Sequence, residues 1–468
     1  MRRWGAATLV AASMTLGALL PVSPASAVHG GVPGDFNGDG YKDAVLPAPG
    51  ANVSGKEGAG AVVVLYGSRS GLSAGNRRTI TQNTPGVPGT AEKWDAFGAA
   101  TATADLNRDG YADLLVGTPD EDTSYAADAG TVAVLWGSKS GLTSGTDLPS
   151  PDRYSHRYGQ DIAALSLGGG GRTRVSVAGH FGSVHFTGPF TRGGAFGGVT
   201  LDMNTGSVGS VALGDFDRDS WPTPAVVSLR DGDLTGGRVY TTLAAGKELR
   251  GNGLIAASGD LNGDGFTDLV AGDPDEPEKA GVDGQPGGRV LVWYGSAAGI
   301  SADTAPVEIT QDTVGVPGAS EKDDAFGGAL AVADLNRDGL ADIVVGSPYE
   351  DLAKNRAGQV TVIPGRASGA LGTGSYSFSQ DTAGVPGAGE TDDFFGTTVA
   401  VGDVNKDGRP ELFVGASGEN NSTGAVWVFP GGSTRPTATG SKLFTAASVG
   451  LTQQSNTMLG GDGLLWLI

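Results

Sequence analysis

One nine-residue pattern, D-x-N-x-D-G-x-x-D, recurs along this chain and constrains its fold more than any other feature. Near-perfect copies run from Asp35 to Asp43, Asp105 to Asp113, Asp260 to Asp268, Asp334 to Asp342 and Asp403 to Glu411. Oxygen-bearing side chains stand at positions 1, 3, 5 and 9, and the glycine at position 6 permits a sharp turn. Alternating oxygen donors on a tight turn suit a hard cation that takes roughly six to eight oxygen ligands, which is the requirement of calcium.

The pattern therefore predicts five calcium sites, each built from the side chains at positions 1, 3, 5 and 9 and the backbone carbonyl at position 7. The alternative is a set of Asp, Asn and Gly turns that bind no metal, since these residues are common in turns. Three crowded carboxylates in each turn argue against it, because their repulsion needs an ion to offset it. The predicted ligand residues are Asp35, Asn37, Asp39, Tyr41, Asp43, Asp105, Asn107, Asp109, Tyr111, Asp113, Asp260, Asn262, Asp264, Phe266, Asp268, Asp334, Asn336, Asp338, Leu340, Asp342, Asp403, Asn405, Asp407, Arg409 and Glu411.

A sixth copy of the pattern is degenerate. It keeps the carboxylates of Asp215, Asp217 and Asp219, but Ser220 replaces the glycine and Thr223 replaces the last carboxylate. Whether this copy binds a sixth ion is left open by the sequence.

The loops are not EF-hands, although they share the alternating donors. An EF-hand places a bidentate glutamate at position 12 and continues into a helix. Here position 12 is apolar in all five copies, and the last ligand leads into a run such as Asp342-Ile343-Val344-Val345. Each loop is therefore predicted to join two β-strands.

The internal repeat extends beyond the acidic loop. A phrase of the form T-Q-[D/N]-T-x-G-V-P-G, followed by D-x-F-G, occupies 81–89, 310–318 and, starting with Ser, 379–387. A Gly-x-Pro turn and an apolar run such as Gly130 to Trp136 follow the loop. Each unit thus contains about four short strands, and radial repetition of such units is the plan of a propeller.

The order Phe-Gly, apolar strand, acidic loop, apolar strand, Gly-x-Pro resembles the FG-GAP repeat. That repeat builds the heads of integrin α-subunits and occurs in many bacterial secreted proteins, and the resemblance covers essentially residues 28–468. It implies an all-β fold, a seven-bladed β-propeller with calcium-binding loops between the first and second strands of most blades. It also implies a ligand on the face opposite these loops, but not pairing with a second subunit.

Seven units can be counted along the chain. Tyr158-Gly159, a Phe-Gly-like opening, lies between the loop that starts at Asp105 and the degenerate loop that starts at Asp215. Its unit has a glycine loop, Gly168 to Gly171, in place of an acidic one. The first unit lacks its lead-in strand. The C-terminal Leu459-Gly460 and Leu464 to Ile468 match that missing part, so 464–468 is predicted to complete blade 1 and close the ring.

The N-terminus has the pattern of a secretory signal peptide over residues 1–27: Arg2-Arg3, an apolar run, and Ala25-Ser26-Ala27. We expect a secreted, extracellular protein, and the arginine pair leaves Sec and twin-arginine export open. Beyond residue 27 the chain has 29 basic and 51 acidic residues, a net charge of −22, which argues against nucleic acid as a partner. The chain has no cysteine and therefore no disulfide, so metal is expected to stabilise the fold.

The sequence offers little support for catalysis. Gly71 to Gly75 fits the G-x-S-x-G motif, but related units place threonine or lose a glycine there, which indicates a recurring turn. Of the four histidines, His156, His180 and His185 fall in the third unit, and two of them at short spacing are too few for a zinc site. The leading interpretation is a monomeric, calcium-binding adhesion or binding module for a protein, cell-surface or glycan ligand. The alternatives are a carbohydrate-binding propeller and a secreted hydrolase.

Overall fold

The computed structural model describes residues 34–152, 155–167, 172–241 and 247–463. These residues form seven antiparallel sheets, six with four strands and one with three, in which strands adjacent in the chain are adjacent in the sheet. The prediction of an all-β, seven-bladed β-propeller is confirmed. The predicted signal peptide, the glycine loop of blade 3 at 168–171 and the predicted closing strand at 464–468 lie outside the described residues.

The first four blades follow the order of the chain. Blade 1 contains β1 (Ala44–Ala48), β2 (Ala61–Leu65) and β3 (Arg77–Ile80); blade 2 contains β4 (Ala100–Ala104), β5 (Asp113–Thr118), β6 (Thr131–Trp136) and β7 (Ser144–Asp147); blade 3 contains β8 (Asp161–Ser166), β9 (Thr173–Gly179), β10 (Gly182–Thr187) and β11 (Gly198–Asp202); blade 4 contains β12 (Val208–Gly214), β13 (Thr223–Ser228), β14 (Gly237–Thr241) and β15 (Glu248–Gly253).

The last three blades have the same organisation. Blade 5 contains β16 (Ile255–Gly259), β17 (Asp268–Asp273), β18 (Arg289–Trp293) and β19 (Val307–Ile309); blade 6 contains β20 (Ala329–Ala333), β21 (Asp342–Ser347), β22 (Gln359–Ile363) and β23 (Tyr376–Phe378); blade 7 contains β24 (Phe395–Gly402), β25 (Glu411–Ala416), β26 (Ala425–Phe429) and β27 (Lys442–Thr445), with a helical turn α1 (Glu419–Ser422) between β25 and β26.

The strands are apolar on both faces because each sheet packs between two others. All residues of β2, β5, β17 and β21 are buried, whereas outer strands such as β3 and β19 are largely exposed. The apolar clusters cross blade boundaries: Val45 of blade 1 shares one with Leu114 of blade 2, and Leu46 shares another with Phe413 of blade 7. Blade 1 therefore packs against both blade 2 and blade 7, and the blades form a closed ring.

Strand register places the acidic loops on one face of the ring. In blade 1, Asp43 directly precedes β1, so β1 and β2 correspond to the second and third strands of the other blades. In those, Ala104 pairs with Asp113 and Ala333 pairs with Asp342, so the last residue of the loop is the first residue of the blade's second strand. The loop before it is then the connection between the first and second strands. Connections between the third and fourth strands reach this same face, and the remaining connections reach the opposite face.

The third unit, which has no acidic loop, is nevertheless a full blade. The Gly159 N–H donates to the Ala178 carbonyl at 3.0 Å, as the Gly98 N–H does to Gly117 at 3.0 Å in blade 2. Tyr158-Gly159 thus occupies the place of Phe97-Gly98, as the sequence predicted. In the described part of the chain, no helix has the length and apolar character needed to cross a membrane.

Candidate metal centre

Hydrogen bonds within each acidic loop turn its side-chain oxygens inward. In blade 1 the carboxylate of Asp35 accepts N–H groups from Gly38 at 2.7 Å and from Gly40 at 2.8 Å. The amide oxygen of Asn37 accepts the N–H of Asp39 at 2.9 Å. The backbone of the turn therefore closes around the position-1 carboxylate.

The same arrangement recurs in the other four loops. The position-6 glycine donates its N–H to the position-1 carboxylate in every one: Gly110 to Asp105 at 3.0 Å, Gly265 to Asp260 at 2.9 Å, Gly339 to Asp334 at 3.0 Å and Gly408 to Asp403 at 2.8 Å. These glycines have φ between +77° and +90°, which side chains with a Cβ resist. One sequence pattern thus gives one loop geometry, with oxygen ligands of the kind that calcium takes.

The carboxylate at position 9 is buried beneath the loop. Asp43 accepts the N–H of Phe36 at 3.0 Å and that of Gly67, which follows the blade's third strand, at 2.9 Å. Burial raises the pKa of Asp43 to about 7, although both N–H groups oppose the shift and Asp35 and Asp39 add to it. Asp113, Asp268, Asp342 and Glu411 have pKa values raised to about 7, with burial as the main cause. A cation held in the loop would offset this cost of burying charge.

The degenerate sixth loop brings its three carboxylates together. One oxygen from each of Asp215, Asp217 and Asp219 lies within 4.8 Å of the others. Ser220 adopts φ +65° and donates its N–H to Asp215 at 3.1 Å, so it reproduces the glycine turn. Its Thr223 supplies no carboxylate at position 9, so this loop has fewer charged oxygens than the five complete ones.

Basic side chains connect neighbouring acidic loops. Lys406, at position 4 of the blade 7 loop, lies over Gly40 of blade 1, where an added Cβ would be 2.2 Å from Nζ. Arg218 lies over Gly265 and Arg337 lies over Gly408 in the same manner. A long side chain from the preceding blade's loop therefore limits the space at position 6 in three loops, whereas Gly110 and Gly339 have open space there. These contacts were not predicted, although the recurrence of a basic residue at position 4 was visible in the sequence.

One loop is also contacted by a guanidinium from blade 3. The Arg192 side chain forms an ion pair with the position-5 carboxylate of Asp109 at 2.6 Å, and it also donates to the Gly137 carbonyl. Arg192 belongs to the connection between β10 and β11, and no pattern in the sequence linked it to the loop. A cation bound in this loop would have to compete with this guanidinium for the Asp109 carboxylate.

The histidines and the G-x-S-x-G motif make contacts that are typical of structural residues. His185 is buried, and its ring nitrogens lie 2.9 Å from Ser176 Oγ and 3.0 Å from Ser183 Oγ. The rings of His156 and His180 stack with centroids 5.2 Å apart. Gly71 donates its N–H to the Ser68 carbonyl at 2.7 Å, as Gly141 does to Ser138 at 2.6 Å, which makes the motif a recurring turn after a third strand.

Seven radially arranged sheets, most with an acidic loop between the first and second strands, define the class of repeat-built β-propellers. The FG-GAP repeat family matches residues 27–65, 97–135, 252–293, 326–363 and 395–429. This chain is therefore an FG-GAP repeat protein with an integrin-α-like propeller, as the resemblance predicted.

Two curated relatives match this chain over part of their own, much longer chains. Integrin alpha-5 of Xenopus laevis is 31% identical over 226 residues, which covers 45% of this chain and 20% of the relative. The phosphatidylinositol-glycan-specific phospholipase D of Bos taurus is 32% identical over 189 residues, or 39% of this chain and 21% of that protein. The chain thus matches about a fifth of the length of either relative.

Solved structures add only a weak likeness. A rhamnogalacturonan lyase of Bacillus licheniformis aligns over 89% of this chain and 73% of its own, with 14% identity and a TM-score of 0.43. A likeness at this level carries no argument about function. The relatives include both named enzymes and integrins, so they leave catalysis undecided.

Proposed function

We propose that this protein is a secreted, calcium-stabilised binding module of the adhesion type, without catalysis of its own. The observation that supports this most is the repeated loop geometry, in which five position-1 carboxylates are each wrapped by backbone N–H groups above a buried position-9 carboxylate. Exposed carboxylate, amide and backbone oxygens are the ligands that calcium takes. Secretion fits this proposal, because extracellular calcium is abundant and a chain without cysteine has no disulfides to stabilise it outside the cell.

The ligand is expected on the face opposite the acidic loops. The connections between second and third strands lie there, and those of blades 4 and 5 form a cleft lined by Arg230, Asp233, Asp275, Glu276 and Lys279. Arg230 pairs with Asp275, and Lys279 with Asp233 at 2.9 Å. Paired charges of both signs suit a polar protein surface better than an apolar ligand.

A carbohydrate ligand is the second candidate. Trp94 and Tyr125 are 51% and 61% exposed, and both lie in blade 2 connections on this face. Exposed aromatic rings stack on the apolar faces of sugars. A secreted hydrolase has less support, because the buried His185 and its two serine partners are closed to a substrate.

Calcium binding is tested by thermal unfolding with calcium and with a chelator. Each ion bound only by the folded state adds about 2.7 kcal/mol at a hundredfold excess over Kd, so chelation should lower the Tm. Asp334→Asn should remove part of this difference. Asp303→Asn, an equal charge change at an exposed position outside the loops, should retain all of it. A Tm that is indifferent to the chelator would contradict the proposal.

The binding function is tested separately from the ions. The calcium-loaded protein would be applied to arrays of glycans and of extracellular proteins, and assayed against a panel of hydrolase substrates. Retention on a protein ligand, reduced by Arg230→Ala, is the expected result. Glycan binding that is lost in Trp94→Ala would favour the second candidate, and turnover of a substrate would contradict the non-catalytic proposal.

A further inference from the structure

Three matching clusters of a glutamine and two acids lie on the face opposite the acidic loops. Each takes its glutamine and aspartate from the connection that leads into a blade, and its glutamate from that blade's connection between the second and third strands. We call these the Gln-Glu-Asp clusters. Their members are Gln82, Glu121 and Asp95 in blade 2, Gln311, Glu350 and Asp324 in blade 6, and Gln380, Glu419 and Asp393 in blade 7.

The glutamine amide of each cluster contacts the glutamate carboxylate. Gln82 Nε2 lies 2.5 Å from Glu121 Oε2, and Gln380 Nε2 lies 2.6 Å from Glu419 Oε2. The equivalent distance from Gln311 to Glu350 is 2.5 Å. In every case 39 residues separate the two partners in the chain, so the repeat builds the contact three times.

The aspartate completes each cluster. Asp393 Oδ2 accepts from Gln380 Nε2 at 3.0 Å, and its carboxyl group also contacts that of Glu419. The aspartates are fixed by the backbone: Asp324 accepts the N–H of Glu321 at 2.7 Å, and Asp393 that of Glu390 at 2.7 Å. In blade 7 two carboxyl groups from different connections thus contact one amide, and in blades 2 and 6 the aspartate lies close enough for its charge to act on the glutamate, or the glutamate's charge on it.

The amide oxygen in all three clusters is buried and has no partner. Gln82, Gln311 and Gln380 are 4%, 2% and 2% exposed, and Oε1 of each lacks a hydrogen bond. A buried amide oxygen without a partner costs about 1–3 kcal/mol, and the same defect three times over requires an explanation. The unpartnered oxygen is bonded to the same carbon as the nitrogen that contacts the glutamate, so it lies at the edge of the cluster.

The charged groups that most affect the cluster carboxyl groups are acidic. Burial raises the pKa of Glu121 to about 7; the Gln82 amide opposes the shift, while Asp95, Glu92 and Asp122 add to it. In blade 6, burial likewise raises the pKa of Asp324 to about 7, and Glu350, Glu321 and Asp351 contribute. In the part of the chain that the structure describes, no cluster carboxylate forms an ion pair with a lysine or arginine. The nearby Lys93, Lys322 and Arg356 pair with Glu57, Glu276 and Asp392 instead.

Blade 5 also has a group of carboxylates at this end of its second strand, and there an arginine neutralises their charge. There the buried Arg289 donates to Asp273 at 2.9 Å, to Asp283 at 2.9 Å and to Glu308 at 2.8 Å. The protein supplies its own cation to this group of carboxylates. Blades 2, 6 and 7 gather similar carboxylates without one.

We infer that each Gln-Glu-Asp cluster binds a hard divalent cation, such as calcium, between the glutamine oxygen and the two carboxylates. The ligands are oxygen only, and two negative charges match the charge of the ion. The ion would link the connection that enters a blade to the connection that follows that blade's second strand. These three sites are separate from the acidic loops, which lie on the opposite face, and do not depend on them.

The number of bound ions tests this inference. The variant E121Q/E350Q/E419Q should bind about three fewer calcium ions than the wild type by native mass spectrometry, and keep those of the acidic loops. The matched control E92Q/E321Q/E390Q makes the same charge change in the same three lead-in connections, at exposed side chains, and should bind as many ions as the wild type. An unchanged count in the first variant would overturn the inference and indicate that the clusters hold protons. If instead the acidic loops bind no calcium, the wild type would bind about three ions and E121Q/E350Q/E419Q none, so failure of the loop sites is distinguishable from failure of the cluster sites.

Terbium luminescence tests the blade 2 cluster by itself. Trp94 immediately precedes Asp95, and blades 6 and 7 have Asp323 and Asp392 at this position. Trp94→Phe should remove part of the tryptophan-sensitised terbium emission, Glu121→Gln should remove the same part, and the double variant should remove no more. Equal emission from wild type and Glu121→Gln, or additive losses in the double variant, would overturn a site in this blade.

Discussion

The backbone N–H of Gly460 donates a 2.7 Å hydrogen bond to the carbonyl of Pro47, which joins the C-terminal segment to the second strand of the incomplete first blade. The N–H of Gly98 makes the equivalent bond to Gly117 in blade 2. Leu459 is buried in the cluster that contains Leu46 and contacts Gly424, as Phe97 contacts Gly60. Leu459-Gly460 therefore occupies the Phe-Gly position of blade 1, directly before the residues predicted to form its missing strand.

Replacing Gly460 tests this closure. Gly460 has φ +102°, and an added Cβ would lie 2.9 Å from Val426 Cγ2 and 3.2 Å from the Ala425 carbonyl oxygen. Gly460→Ala should lower the free energy of unfolding by about 2–4 kcal/mol, since it combines backbone strain with overpacking. Gly206→Ala is the matched control, because Gly206 has φ +68° and open space around its Cβ position. It should cost about 1 kcal/mol.

Deleting residues 464–468 tests the predicted closing strand directly. The truncated chain should unfold at a clearly lower temperature, because blade 1 would lose the strand that faces the centre of the ring. Thermal unfolding followed by circular dichroism measures the difference. An unchanged Tm would mean that the five C-terminal residues do not belong to blade 1.

Local repetition in the sequence was sufficient to predict the blades and the acidic loops. Tyr158-Gly159 marked a blade that has no acidic loop, because the lead-in and the strands keep their spacing when the loop changes. The degenerate loop at Asp215 could not be judged, since only the folded backbone shows that Ser220 adopts the glycine conformation.

Contacts between separate parts of the chain were not predictable in the same way. Arg192 and Asp109 are 83 residues apart and belong to different blades, and no local pattern connects them. The Gln-Glu-Asp clusters were predictable only in part. The glutamine phrase was recognised, but its meaning depends on a glutamate at a constant separation of 39 residues, a signal that a comparison of the units would reveal.

Removing the Arg192 guanidinium should strengthen cation binding in the blade 2 loop. The Arg192–Asp109 ion pair is partly exposed, and such pairs contribute about 0.2–1 kcal/mol, which corresponds to at most about a fivefold change in Kd. A calcium titration followed at the Gly110 amide resonance reports this loop alone. Arg192→Met should lower the Kd there, and less so at high salt. Arg356→Met, which removes a pair with Asp392 on the other face, should leave it unchanged.

Removing the Arg289 guanidinium should destabilise the contact between blades 4 and 5. Arg289 and Asp273 are 2% and 0% exposed, and Arg289 also reaches Asn252 of blade 4 at 2.5 Å. Arg289→Met leaves a buried, unpaired carboxylate and should cost about 3–5 kcal/mol of unfolding free energy in a denaturant titration. The double variant R289M/D273N should recover part of this loss. A single variant as stable as the wild type would show that Asp273 finds another partner.

The buried His185 should make the protein less stable in acid. Burial, with a smaller contribution from the charge of Arg174, lowers the pKa of His185 to about 4 from 6.5, while Asp202 opposes the shift. Because the folded pKa lies below the unfolded one, the unfolded chain takes up the proton first. The stability is fully present above pH ~6.5 and falls as the pH drops toward about 4.

The variant His185→Gln isolates this contribution from that of other groups. The loss assigned to His185 across the interval from pH ~6.5 to about 4 is at most about 3 kcal/mol, since one pKa unit corresponds to about 1.36 kcal/mol. Denaturant titrations at several pH values, in the presence of a chelator, would compare the two proteins. The variant should have a shallower loss of stability on acidification, because glutamine has no proton to take up between its two serine neighbours. Parallel profiles would mean that the imidazole becomes protonated in the folded state without cost, and that the two serines can hold its charged form.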